Sequence, residues 1–144
     1  MLISTYPTKD NSSFLSHINS KDKPSSLKSG KHLIRCKRKN LYKQGERLSQ
    51  LFYLISGKVI LHKTDSDGRI TRLPQLSEGT FFGLNALFDF GEVNHSATIK
   101  NNSLLLVIPI VEFEDLLIRW PNLKRQIICQ LINQLDLIER KIFE

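Results

Sequence analysis

The sequence predicts a mainly β fold with an α-helical end: an antiparallel β-roll or jelly roll followed by one long helix. Two observations carry this. Glycines at 45, 57, 68, 79 and 91 recur at spacings of 12, 11, 11 and 12, with short β-rich runs between them. Regular strands closed by turn glycines form sandwiches, jelly rolls and small barrels. After Pro109 the apolar period changes from two residues to that of a helix and stays helical to Glu144.

Taken in order, residues 1–29 are rich in Ser, Asn, Asp, Lys and Pro and read as a mobile or loosely packed polar segment, with one helical turn at Phe14-Leu15. Residues 30–120 form the roll. LFYLIS, KVILHKT and ITRLPQL are its first strands, and Asp67-Gly68 closes a hairpin between the last two. HSATIK and LLLVIPI follow, separated by Asn101-Asn102. VEFEDLLIRW then places Phe113, Leu116, Leu117 and Trp120 on one helix face, and Pro121 opens a new helix at a position that tolerates proline. In that helix, residues 121–144, Ile128, Leu131, Leu135, Ile138 and Ile142 are spaced 3, 4, 3, 4, the a/d pattern of a coiled coil. Ile127 and Ile132 supply a second apolar face. A helix apolar on two sides packs on its own roll with one and on a second copy with the other, so a homodimer is expected.

The chain has 144 residues, enough for one domain, and 40% hydrophobic residues, enough for a sizeable core. No run approaches the roughly 20 apolar residues of a membrane helix, and the polar first stretch is unlike a signal peptide. The net charge of +7 is uneven: residues 1–48 hold 11 basic and 3 acidic residues, the remainder 10 and 11. Lys37, Arg38 and Lys39 are the centre of this basic third and the candidate nucleic-acid contact, through counterion release. A solvated strand edge protected by lysines is the other explanation of the same charges. Cys36 and Cys129 are far apart and form no CxxC pair, as for thiols in a reducing compartment. No catalytic or metal-ligating residues are assigned. Ser96 follows His95 directly, so on a strand the two face opposite sides, and the four histidines and two cysteines are not clustered as in a metal site. An enzyme on a cupin-like roll would need such a cluster.

Residues 81–99, FFGLNALFDFGEVNHSATI, hold the candidate ligand site. A glycine turn that leads into a short helix offers backbone N–H groups without partners, which suits an anion. Yet no arginine stands in this segment.

Three stretches, KNLYKQGERLSQLFYLISGKVILHK, LSEGTFFGLNALF and SATIKNNSLLLVIPIVEFEDLL running into the last helix, resemble the effector domain of the Crp/Fnr superfamily of transcription regulators, over about residues 31–144. Within it the chain looks most like the global nitrogen regulator of cyanobacteria and algal plastids, because FFGLNAL has an apolar residue after the glycine. The Lys-, Asn- and Ile-rich composition suits an AT-rich plastid genome. The resemblance implies a transcription regulator of the plastid stroma (the chloroplast) or the bacterial cytoplasm.

Members of the superfamily that bind cyclic nucleotides carry an acidic residue after the glycine, for the ribose, and an arginine before Ser-Ala, for the phosphate. Here those positions are Leu84 and His95, beside Ser96, so cAMP is not expected as a ligand. The nitrogen-regulator resemblance implies 2-oxoglutarate instead. Its carboxylate would face the backbone N–H groups of Phe82, Gly83, Leu84 and Asn85, and Gln134 and Glu139 stand where that family has a helix arginine and glutamate. Without a guanidinium such an effector would bind weakly. No cofactor is otherwise expected. The superfamily reads DNA with a helix-turn-helix after the long helix, and this chain ends at Glu144. The expectation is therefore a regulator reduced to its effector-binding and dimerisation parts, meeting DNA by family resemblance only or through a partner. The alternative is a stand-alone small-ligand-binding or protein-interaction module without DNA binding.

Overall fold

A computed structural model describes residues 33–87 and 91–143. The segment 1–29 with its Phe14-Leu15 turn, and the centre of the cassette loop at residues 88–90, lie outside the described residues.

The described chain is an antiparallel roll of two four-stranded sheets with two helices behind it. Its strands are β1 (Leu33–Cys36), β2 (Lys39–Tyr42), β3 (Gln50–Ser56), β4 (Val59–Thr64), β5 (Ile70–Arg72), β6 (Phe81–Phe82), β7 (Ser96–Ile99) and β8 (Ser103–Pro109). The helices are α1 (Ile110–Arg119) and α2 (Pro121–Phe143). One sheet has the order β1-β8-β3-β6 and the other β2-β7-β4-β5. The roll and the C-terminal helices are thus as the sequence predicts.

The central strands of the first sheet, β3 and β8, are buried on both faces, which explains why they are almost continuously apolar in sequence. Phe52, Leu54 and Leu105 point between the sheets, where they meet Tyr42, Val59, Leu61, Phe82, Val93, Ala97 and Ile99. Leu51, Tyr53, Leu106 and Ile108 point the other way, onto Phe113 and Leu116 of α1 and Leu123 of α2. The alternation of one strand therefore feeds two cores. Pro109 ends β8, and α1 starts at the next residue. Trp120, extended at φ −120°, separates the helices; its N–H still donates to Leu116 O at 2.9 Å.

Three local expectations are corrected. The ITRLPQL stretch is a strand only over Ile70–Arg72. Pro74 has no N–H for a ladder, and Leu76 enters the core from irregular backbone. LFYLIS is not the first strand: the basic stretch before residue 43 forms β1 and β2, each the edge strand of one sheet, as the strand-edge explanation of its lysines expects. The short helix after Gly83 is a single 3-10 turn, Leu84–Leu87.

Candidate functional site

The cassette begins on β6, the outermost strand of the first sheet. Phe81 and Phe82 point to opposite sides, Phe82 into the roll and Phe81 onto the helices. Gly83 then turns the chain at φ +76°, a region L side chains rarely adopt, and a Cβ there would meet the Phe52 ring at 3.2 Å. Ala86 N–H donates to Gly83 O at 3.0 Å, closing the 3-10 turn. Four residues make one turn with almost no aligned dipole, so an anion contact here would rest on individual N–H groups and not on a helix macrodipole. Gly91 closes the loop at φ +81°, and a Cβ there would come within 2.6 Å of Leu48 O. Leu48 N–H donates to Gly91 O at 2.8 Å, which pins the returning strand to the sheet margin.

Behind the turn, aromatic rings fill the space between the sheets. Tyr42, Phe52 and Phe82 stack on one another with centroids 5.2 to 6.5 Å apart. His95 meets Tyr42 edge-on at 5.3 Å. It is only 7% exposed, and both of its nitrogens are engaged. Nδ1 lies 3.0 Å from Asn94 Oδ1, and Nε2 lies 2.6 Å from the Tyr42 hydroxyl. The Asn94 oxygen can only accept, so Nδ1 carries the proton and Nε2 receives the Tyr42 O–H. Burial, reinforced by the nearby Lys63 and His62, holds the His95 imidazole down at about 4. Burial also raises the Tyr42 hydroxyl well above its ordinary value. At neutral pH this is an uncharged hydrogen-bonded pair, with no cation to offer a phosphate.

The remaining sequence candidates are dispersed. Ser96 faces away from His95, as the strand period requires, and its Oγ accepts Gln44 N–H at 2.8 Å on the outer side of the second sheet. Leu84, Asn85 and Gln134 are half-buried, and Glu139 is exposed. Ile128, Leu131, Leu135, Ile138 and Ile142 are 41 to 69% exposed, whereas Leu123 on the same helix is buried against α1 and the first sheet. Lys37, Arg38 and Lys39 are exposed at the β1–β2 turn. The register places them beside two further lysines. Lys39 pairs with Ile99, and Lys100 N–H donates to Lys58 O at 3.0 Å. Among the described residues no three His, Cys, Asp or Glu side chains could hold a metal, and no helix is long and apolar enough to cross a membrane. Cys36 and Cys129 are buried free thiols.

One residue escapes sequence reasoning. Gln130 of α2 is buried, and its side chain grips a single backbone unit: Oε1 accepts Phe81 N–H at 2.7 Å, and Nε2 donates to Phe81 O at 2.8 Å. β6 pairs with β3 on one side only, and Leu54 N–H bonds Thr80 O. In an antiparallel ladder the next residue then turns its polar groups outward. The Gln130 amide takes the place of a missing strand, joining the long helix to the residue before Phe82 and Gly83. A glutamine among apolar helix positions was the only signal in the sequence.

Comparison with known proteins fits this architecture. The family profile for the cyclic nucleotide-binding domain matches residues 36–119, more than half of the chain. The chain belongs to this family. In sequence this cyclic nucleotide-binding domain is similar to the cAMP-activated global transcriptional regulator CRP of Pasteurella multocida, with 34% identity over 100 residues, 68% of this chain and 47% of that protein. The chain thus spans about half the length of the curated relatives it matches. In structure the domain is similar to the catabolite activator protein of Thermus thermophilus, with a TM-score of 0.65 and 24% identity over 87% of this chain and 61% of that one. It is also similar to a variant of CooA from Carboxydothermus hydrogenoformans, with a TM-score of 0.71 and 19% identity over 98% and 88% of the two chains. At these identities the structural likenesses establish the fold.

Proposed function

We propose that this cyclic nucleotide-binding domain is the effector and dimerisation part of a Crp/Fnr-type transcription regulator whose cyclic-nucleotide site is degenerate. One observation carries the reading: His95, at the position the family resemblance assigns to the phosphate-binding arginine, is neutral and engaged at both nitrogens by Tyr42 and Asn94. Leu84, at the ribose-binding position, accepts no hydrogen bond. Stacked Tyr42, Phe52 and Phe82 occupy the space behind them.

What remains at the cassette is the backbone N–H groups of Gly83, Leu84 and Asn85, since Phe82 is paired with Phe52 in the ladder, with Gln134 as an uncharged donor on α2. These suit at most a weak carboxylate effector such as 2-oxoglutarate, as in the nitrogen regulators, and Glu139 would oppose it. The exposed seam from Ile128 to Ile142 supports a homodimer through α2. The basic turn at Lys37, Arg38 and Lys39 supports a sequence-independent contact with DNA. Such a regulator would work in a plastid stroma or a bacterial cytoplasm.

Calorimetry tests the site. Titration with cAMP is expected to show no submicromolar binding, and 2-oxoglutarate no better than roughly millimolar affinity, the level of a few uncharged hydrogen bonds. Submicromolar binding of cAMP would mean that the cassette opens around Tyr42 and His95 and would overturn the reading.

A further inference from the structure

The outer face of the second sheet carries an open groove of about 480 Å³. Asn40 of β2, Ser96 of β7, and His62 and Thr64 of β4 line it, with Lys43 and Gln44 from the segment after β2. Three of its side-chain acceptors are engaged by the protein itself. Asn40 Oδ1 accepts the Thr98 hydroxyl at 3.0 Å, Gln44 Oε1 accepts Thr64 N–H at 2.8 Å, and Ser96 Oγ accepts Gln44 N–H at 2.8 Å. The Gln44 amide nitrogen is spent as well, on Thr64 O at 3.0 Å. What is left to meet a ligand is donors: the Asn40 amide NH₂, the Ser96 and Thr64 hydroxyls, the Lys43 ammonium and the His62 ring N–H.

Charge points the same way. Arg72 stands opposite His62 in the β4–β5 register, and cross-strand partners share a face about 5 Å apart, so a second permanent cation borders the groove. No acidic side chain is among the lining residues. In the hairpin beyond β4, Asp65 Oδ1 is committed to the N–H groups of Asp67 and Arg69, both at 2.9 Å.

A concavity rich in donors, with two cations and no acidic side chain along it, selects a group rich in acceptors and negative charge. We propose that this groove binds the phosphate of a phosphorylated small molecule, on the outside of the roll and separate from the cassette. A phosphate monoester brings three oxygens and a charge of roughly −2, which matches these donors and two cations better than a carboxylate does. The groove is larger than a phosphate ion and falls in the roughly 300–1,000 Å³ range of small-molecule sites, so it also accommodates an organic body.

The test is an NMR titration of the full chain with inorganic phosphate and with ribose 5-phosphate, at ionic strength held constant with KCl. Saturating shifts are expected at the amides of Gln44, His62, Thr64 and Ser96, with Gly83 and Leu84 unmoved and ribose 5-phosphate bound at least as tightly as phosphate. Lys43→Glu, at an exposed position, should weaken binding at least tenfold, and Arg72→Glu should weaken it independently. Arg38→Glu, on the basic turn, should leave it unchanged. Shifts that never saturate, meaning an adventitious ion only, would overturn the proposal. So would saturation indifferent to Lys43→Glu and Arg72→Glu, exclusion of ribose 5-phosphate, or shifts centred on Lys37–Lys39 or on the cassette. Failure here leaves the cassette untouched, because the calorimetric test reads different residues.

Discussion

His95 lies behind the cassette with Nε2 receiving the Tyr42 hydroxyl, and protonating that nitrogen would break the bond and bury a charge. The imidazole titrates near 6.5 in an unfolded chain and at about 4 in the fold. Between those values the unfolded state binds more protons, so stability contributed by the neutral ring is present above about pH 6.5 and lost as pH falls toward 4. The linkage is worth up to about 3 kcal/mol. Denaturant unfolding at pH 7 and pH 4 is expected to show this loss, and the His95→Gln variant to show less of it; an identical pH dependence in the two proteins would exclude His95 as its source. The sequence announces that position 95 is not an arginine. It does not announce the Tyr42 partner, because 53 residues separate the two and only the pairing of β2 with β7 brings them together.

Among the elements, α2 has two faces with different chemistry. The face toward the roll holds Leu123, half-buried Ile127 and Gln130, and the seam from Ile128 to Ile142 stays exposed. Gln130 satisfies both polar groups of Phe81, and replacing it with Leu would leave a buried N–H and C=O unpaired. About 2–4 kcal/mol of stability should be lost, followed by denaturant titration with the fluorescence of Trp120, the protein's only tryptophan and a neighbour of this core. A loss below about 0.5 kcal/mol would mean that water replaces the amide without cost. On the seam, Leu135→Asp would place a charge in a desolvated contact. Light scattering should find the unmutated chain dimeric and the variant monomeric; a monomeric unmutated chain at high concentration would remove the seam as an interface. The heptad spacing was legible because coiled-coil geometry is periodic. The Gln130 clasp was not, since a single glutamine in a helix signals nothing until β6 is known to be an edge.

For the whole molecule, the roll gathers charge that the sequence spreads out. Lys37, Arg38 and Lys39 share one end with Lys58 and Lys100, which come from the β3–β4 and β7–β8 turns. Neutralising Lys37, Arg38 and Lys39 to Gln should reduce affinity for any duplex DNA alike and lower the salt slope by up to roughly one for each phosphate left without its cation. Gel shifts across a salt series check this; salt-resistant preference for one palindrome would contradict it. The sequence by itself determined the fold class, the final helices with the apolar stripe along the second, and the absence of an acidic residue directly after Gly83 and of any arginine in the cassette. These properties are local or periodic, written in turn glycines, in alternation of period two or 3.6, and in residue identity. Tertiary structure decided the rest: the double burial of β3 and β8, the aromatic stack that engages His95, the Gln130 clasp and the donor-lined groove outside the roll. Each of these joins residues far apart in the chain, and antiparallel pairing between two sheets, not sequence proximity, chooses those partners.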